Sequence, residues 1–149
     1  MAAHPNPAAD LVATMVAAGP YTVAGASKAL VAEGSGGANA FVGPERATSA
    51  TTPDFAVFAL NAPGPQAEEY MNVLDNFHRY QVDVTVRSDP GMWANGDELA
   101  RALSEQLQRA TPPTGYVKLE RLSALPAYVG EDEDRRHRFR LAVEMWWKG

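Results

Sequence analysis

The chain has 149 residues, 46% of them hydrophobic, and a formal net charge of −5 at neutral pH. That length suits one domain around one core, and the acidic balance argues against a general polyanion binder, which carries a basic excess or patch. With no cysteine the chain has no disulfide, thiolate nucleophile, zinc ribbon or iron–sulfur cluster, and no apolar run approaches the ~20 residues of a membrane span. The opening Met1-Ala2-Ala3-His4-Pro5 lacks the basic and apolar regions of a secretory signal, so the expectation is a soluble, unexported protein.

Asn6 followed by Pro7 predicts a helix N-cap and first turn, and Leu11, Val12, Met15 and Val16 form an apolar stripe ending near Gly19-Pro20. The Ala/Gly-rich stretch 21–40, with Gly34-Ser35-Gly36-Gly37 and a helical patch around Ser27 to Val31, reads as a flexible connection. Order resumes at Phe41-Val42-Gly43-Pro44, and Phe55 to Leu60, apolar on both faces, predicts a buried central strand. Beyond the Pro63-Gly64-Pro65 break, the segment from Gln66 to His78 has helical spacing at Ala67, Tyr70, Met71, Leu74 and Phe77, and stays open between helix and other structure.

From Tyr80 to Arg87 strict alternation predicts a strand with Tyr80, Val82, Val84 and Val86 on the apolar face. Gln81, Asp83, Thr85 and Arg87 lie on the wet or partner-facing side. Asp89 and Pro90 then suit the N-cap and first position of a helix, whose stripe runs through Trp93, Ala100, Leu103, Leu107 and Ala110 with a gap at Gly96. Thr111 to Gly115 closes that helix. Tyr116 to Val129 reads as one long strand, with Pro126 marking an edge or bulge. In the last strand Phe139, Leu141, Val143, Met145 and Trp147 alternate with Arg138, Arg140, Ala142, Glu144 and Trp146. Between the two lies a charged hairpin tip, Gly130 to Arg136.

No residue set carries a recognisable catalytic signature. His4, His78 and His137 are scattered, no serine sits in a Gly-x-Ser-x-Gly elbow, and neither Gly34-Ser35-Gly36-Gly37 nor Gly25-Ala26-Ser27-Lys28 has the spacing of a phosphate loop. Glu131, Asp132, Glu133 and Asp134 offer adjacent carboxylates without the spacing of a calcium loop, which suits a solvated turn. Arg135, Arg136, Arg138 and Arg140 form the basic cluster. Its bland reading is cross-strand pairing with Lys118 and Glu120 as neighbours; its sharper one is an intersubunit surface, where the acidic tip of one copy meets the basic strand of the next. Trp146 and Trp147 point to opposite faces, so only one enters the core of a half-buried strand.

The order of these elements resembles the tail terminator (minor capsid, tail-completion) proteins of long-tailed bacteriophages. Three stretches carry the likeness: Phe41 to Glu45 followed by Pro53 to Val57, Tyr80 to Pro90, and Gly130 to Phe139. The length of 21–40 and the 66–78 segment depart from the pattern. The resemblance implies an α+β fold, a single mixed and mainly antiparallel sheet with two helices packed on one face, in a subunit spanning 1–149. It also implies a homohexameric ring in the tail–neck region of the virion, assembled in the host cytoplasm. Such a ring caps the tail tube and docks a head-completion or connector protein, with genomic DNA passing through its lumen unbound and no cofactor, metal or membrane involved. The interface residues expected on the wet strand face, the charged hairpin and the end of the last strand are Asp83, Thr85, Arg87, Glu131, Asp132, Glu133, Asp134, Arg135, Arg136, Arg138, Arg140 and Trp146. Alternatives are a neighbouring neck or head-closure connector, a small ligand-binding or hydrolytic α/β domain, and a nucleic-acid module built on the arginines and Trp146.

Overall fold

A computed structural model describes residues 5–34, 36–45, 55–62, 69–70 and 76–148. Helix α1 (Pro7–Ala18) begins as its sequence predicts: the Asn6 side chain accepts a hydrogen bond from the Ala9 amide (3.3 Å), and Pro7 occupies the first turn. Leu11, Val12 and Met15 are buried.

The following stretch holds a hairpin where a helical patch is expected. Strands β1 (Tyr21–Val23) and β2 (Ala26–Lys28) form an antiparallel hairpin whose two-residue turn, Ala24-Gly25, has φ of 51° and 76°, the left-handed pair that such a turn requires. Three anchors fix the segment. Tyr21, Val23 and Leu30 are buried in the main core, the Tyr21 hydroxyl donates to the Met15 carbonyl (2.6 Å), and the Ala24 amide donates to Glu98 (2.9 Å). Asn39, also buried, accepts from the Val31 amide (2.7 Å) and donates to the Ala29 carbonyl (3.0 Å). Small-residue composition conceals this, because the anchors are single residues spread along the stretch.

The main sheet is built from β3 (Ala40–Val42), β4 (Ala56–Ala62), β5 (Glu69–Tyr70), β6 (Asn76–Pro90), β7 (Tyr116–Arg121), β8 (Ala127–Glu131) and β9 (Arg136–Lys148). Its order is β3-β4-β6-β9-β7, with β5 also on β6 and β8 also on β9; β3–β4 is parallel and every other named pair antiparallel. The fold is therefore α+β with a mixed, mainly antiparallel sheet. In the 66–78 segment, residues 69–70 and 76–78 are strand and not helix, and the remainder lies outside the described residues.

Helix α2 (Trp93–Arg109) starts later than Asp89-Pro90 suggests, with Met92 as N-cap and no side-chain cap. Strand β6 captures those residues instead: Pro90 pairs with Arg136, the Gly91 amide donates to the Arg135 carbonyl (2.7 Å), and the Met92 amide closes a turn onto the Asp89 carbonyl (3.1 Å). With Pro90 second and Gly91 third at φ 71°, this is a type II turn, which needs a residue tolerating positive φ at that place. The gap at Gly96 proves to be a packing point. A Cβ there would lie 2.7 Å from Ser88 Cβ and 2.8 Å from the Phe139 ring, so the missing side chain lets α2 sit against β6 and β9.

Both helices cover one face. Their buried residues join Val57, Ala59, Val82, Val84, Val86, Phe139, Leu141, Val143 and Met145 in one core, the alternation of β6 and β9 turned inward as expected. Trp147 packs at the rim of this core. The single long strand expected over 116–129 is two strands lying end to end along β9, interrupted at 122–126, with Pro126 in the break. Proline has no amide to donate, which suits a gap on an outer edge. Among the described residues, no helix is long and apolar enough to cross a membrane.

Candidate functional site

The face of the sheet away from the helices holds most of the singled-out charges, and strand register fixes their rows. Ala56, Arg87 and Arg138 stand abreast; then Phe58, Thr85 and Arg140; then Leu60, Asp83 and Ala142; then Ala62, Gln81 and Glu144. Phe41 of β3 stacks on Phe58 at 5.3 Å between ring centroids. This is the side that alternation marks as wet, yet it is not uniformly so. Thr85 is 8% exposed and Arg87 5%, because the chain after β3 folds back over that end of the face.

Glu45, on that returning segment, organises the basic cluster. Its carboxylate lies 3.9 Å from the Arg87 guanidinium and 3.5 Å from that of Arg138, and Arg87 also lies over the Phe58 ring at 5.0 Å. Burial pulls the Arg87 pKa below its ordinary value and neighbouring Arg136 adds to this, while Glu45, Asp132 and Asp134 act in the opposite sense. The expected neighbours Lys118 and Glu120 are not partners of Arg138 and Arg140; they pair with each other (2.7 Å) further along β9, abreast of Trp146 and Glu144. Cross-strand register, invisible in one strand's sequence, decides this.

Beside Arg140 the face is concave. A recess of about 290 Å³ is lined by Gly43, Pro44, Glu45, Phe58, Leu60, Asp83, Thr85 and Arg140. Gln81 donates to Asp83 (3.2 Å). Arg140 is exposed and makes no hydrogen bond or ion pair among the described residues. Five lining residues, Gly43, Pro44, Glu45, Phe58 and Leu60, were not singled out as interface residues. Leu60, 42% exposed where β4 passes from its buried half to its exposed end, is a signal only once β4 is known to lie beside β6.

At the far end of the same face Trp146 lies between Arg79 (5.3 Å) and Lys118 (5.2 Å) and donates from its indole nitrogen to Glu144 (2.6 Å). The chain's own cations thus cover much of it. The hairpin tip divides into two sets. Asp132 Oδ1 accepts from the amides of Asp134 and Arg136, both 2.9 Å, and so builds the turn, in which Arg135 has φ 62°. Arg136 is buried and donates to the Ser88 carbonyl (3.3 Å), an inward role in place of the expected surface one. Glu131 and Glu133 are exposed, with no side-chain partner among the described residues.

A third cluster has no counterpart in the sequence reading. Trp93 and Tyr128, 44% and 48% exposed, pack about Phe139, and the Tyr128 hydroxyl lies 2.9 Å from His137 Nδ1. His78 sits by Trp147 at the opposite end of β9, ten pairing positions from His137 and hence about 30 Å away. His4 lies outside the described residues. Among the described residues no three metal-ligating side chains come together. In the Gly25-Ala26-Ser27-Lys28 motif Gly25 closes the hairpin turn and the other three residues are strand β2, and Ser35 of the other glycine-rich motif lies outside the described residues.

Neither a model of a known protein family nor a curated protein matches this chain.

Proposed function

We propose that this chain is a structural subunit of a long-tailed bacteriophage virion, a tail terminator that forms a homohexameric ring, caps the tail tube, ends its polymerisation and offers the surface to which a head-completion or connector protein docks. The observation that carries the reading is the division of the sheet: both helices lie on one face, and the other presents a partly concave field of charge in Arg138, Arg140, Asp83, Glu144 and the acidic tip. A ring needs subunit surfaces that match different surfaces of the next copy, and charged faces set register and partner choice. The net charge of −5 suits a lumen through which DNA slides without adhering. The reading needs no catalytic group or cofactor.

Electron microscopy of the purified protein mixed with tail tubes, or of particles from its source, tests this. The expected result is a ring at the head-proximal tube end. Density on the head side of that position would move the assignment to a neighbouring connector, and absence from tube and particle would overturn it. The recess beside Arg140 favours one second reading, a small ligand-binding domain. Its volume falls just short of the usual range for such sites, which begins at about 300 Å³, and small carboxylates that raised the melting temperature through Arg140 would favour it.

A further inference from the structure

We propose that the recess beside Arg140 receives the acidic hairpin tip of a second copy of this chain, with Glu133 as the inserted side chain; this deepens, and rests on, the ring reading above. Of the four arginines on this face, three are already engaged, Arg79 with Glu144 at 3.6 Å. Arg87 and Arg138 share Glu45, whereas Arg140 lines the recess with no partner among the described residues. Its surroundings suit a short carboxylate side chain: the apolar Phe58, Leu60 and Pro44 flank it, and Thr85 brings a hydroxyl to the lining.

The tip supplies the complement. Asp132 is consumed by its own turn, and Asp134 acts with it on Arg87, but Glu131 and Glu133 are exposed with no side-chain partner among the described residues. They do not satisfy Arg140 within one chain. Glu131 pairs with His137, three positions along β9 from Arg140 and on the opposite side of the strand, and makes no contact with it among the described residues. A second copy supplies the missing carboxylate without any further component. Because tip and recess are different patches, the contact can propagate head to tail and close into a ring. Asp83, held by Gln81 at the recess wall, adds selection, since it repels a carboxylate that enters on the wrong side of Arg140.

Sedimentation of Glu133→Arg, Arg140→Glu and the double exchange tests this, with circular dichroism to show that each exposed-site variant folds. Each single variant is expected to weaken self-association about tenfold or more, the double exchange to recover it, and a mixture of the two single variants to recover it also, since every tip then meets an opposite charge. Single variants that associate like the parent, or a double exchange as weak as either single, overturn the contact. The same variants on tail tubes separate the two readings. Normal capping by Arg140→Glu removes the contact and leaves the terminator, whereas a parent chain that self-associates through Glu133 and Arg140 but never caps a tube keeps the contact and removes the terminator.

Discussion

Replacing Gly96 with alanine decides between helix propensity and packing. Gly96 lies within α2, where alanine is favoured by about 1 kcal/mol on propensity alone. The added Cβ meets Ser88 Cβ at 2.7 Å and the Phe139 ring at 2.8 Å, both nearer than carbon atoms tolerate. Neither neighbour has room to yield: Ser88 is fully buried on β6, where its hydroxyl accepts from the His137 amide (2.9 Å), and Phe139 is buried on β9. Overpacking of this kind costs about 1–3 kcal/mol, and two simultaneous contacts place it in the upper part of that range. The expected net effect is a destabilisation of about 1–2 kcal/mol, read as a lower midpoint in urea denaturation and a fall of roughly 3–6 °C in melting temperature for a domain of this size. Trimming the ring in Gly96→Ala/Phe139→Leu should give a combined loss smaller than the sum of the two single losses, because the clash is shared. A Gly96→Ala protein as stable as the parent, or more so, would show that α2 does not rest on β6 and β9 at this point.

Three further outcomes are expected. Asn39→Ala removes both side-chain bonds that bridge Val31 and Ala29, with a loss of about 2 kcal/mol in denaturant titration; an unchanged midpoint would mean that these bonds do not order the segment. Burial pushes the Tyr21 pKa up to about 12, against about 10 for a free tyrosine, so its contribution is fully present below pH 10 and is lost as pH rises through 12. It amounts to about 2–3 kcal/mol. Burial raises Tyr80 and Tyr116 in the same direction, the latter helped by its 2.7 Å bond to Asp10. Tyr21→Phe should therefore shrink the alkaline loss without abolishing it, as followed by fluorescence across pH 9–13, and an unaltered alkaline limb would argue against the burial. Finally, Glu45→Ala removes one of the carboxylates that favour the buried Arg87 charge and should destabilise by about 1 kcal/mol, and adding Arg87→Met should restore most of it, because the penalty lies in burying the ion with less compensation. No recovery in the double variant would place the role of Glu45 elsewhere.

The alternation of β6 and β9, the Asn6-Pro7 start of α1 and the charged turn at 130–136 are legible in the sequence because each is dictated locally, by the two-residue strand period, a cap within one turn, or a hairpin loop. The site is legible only in part. The acidic tip and the basic strand stand out as charge, but register decides that Arg138 meets Glu45, and the fold-back after β3 decides that Thr85 and Arg87 are covered while Arg140 is not. Asp89-Pro90-Gly91 is equally good chemistry for a helix start or a type II turn, and pairing of Pro90 with Arg136 selects the turn. Stretch 21–40 carries no periodicity, yet it is fixed by Tyr21, Val23, Leu30 and Asn39, whose partners lie far along the chain. Local spacing thus determined which residues share a face, and tertiary structure decided what each face meets, since long-range register and burial depend on contacts that no short window of sequence contains.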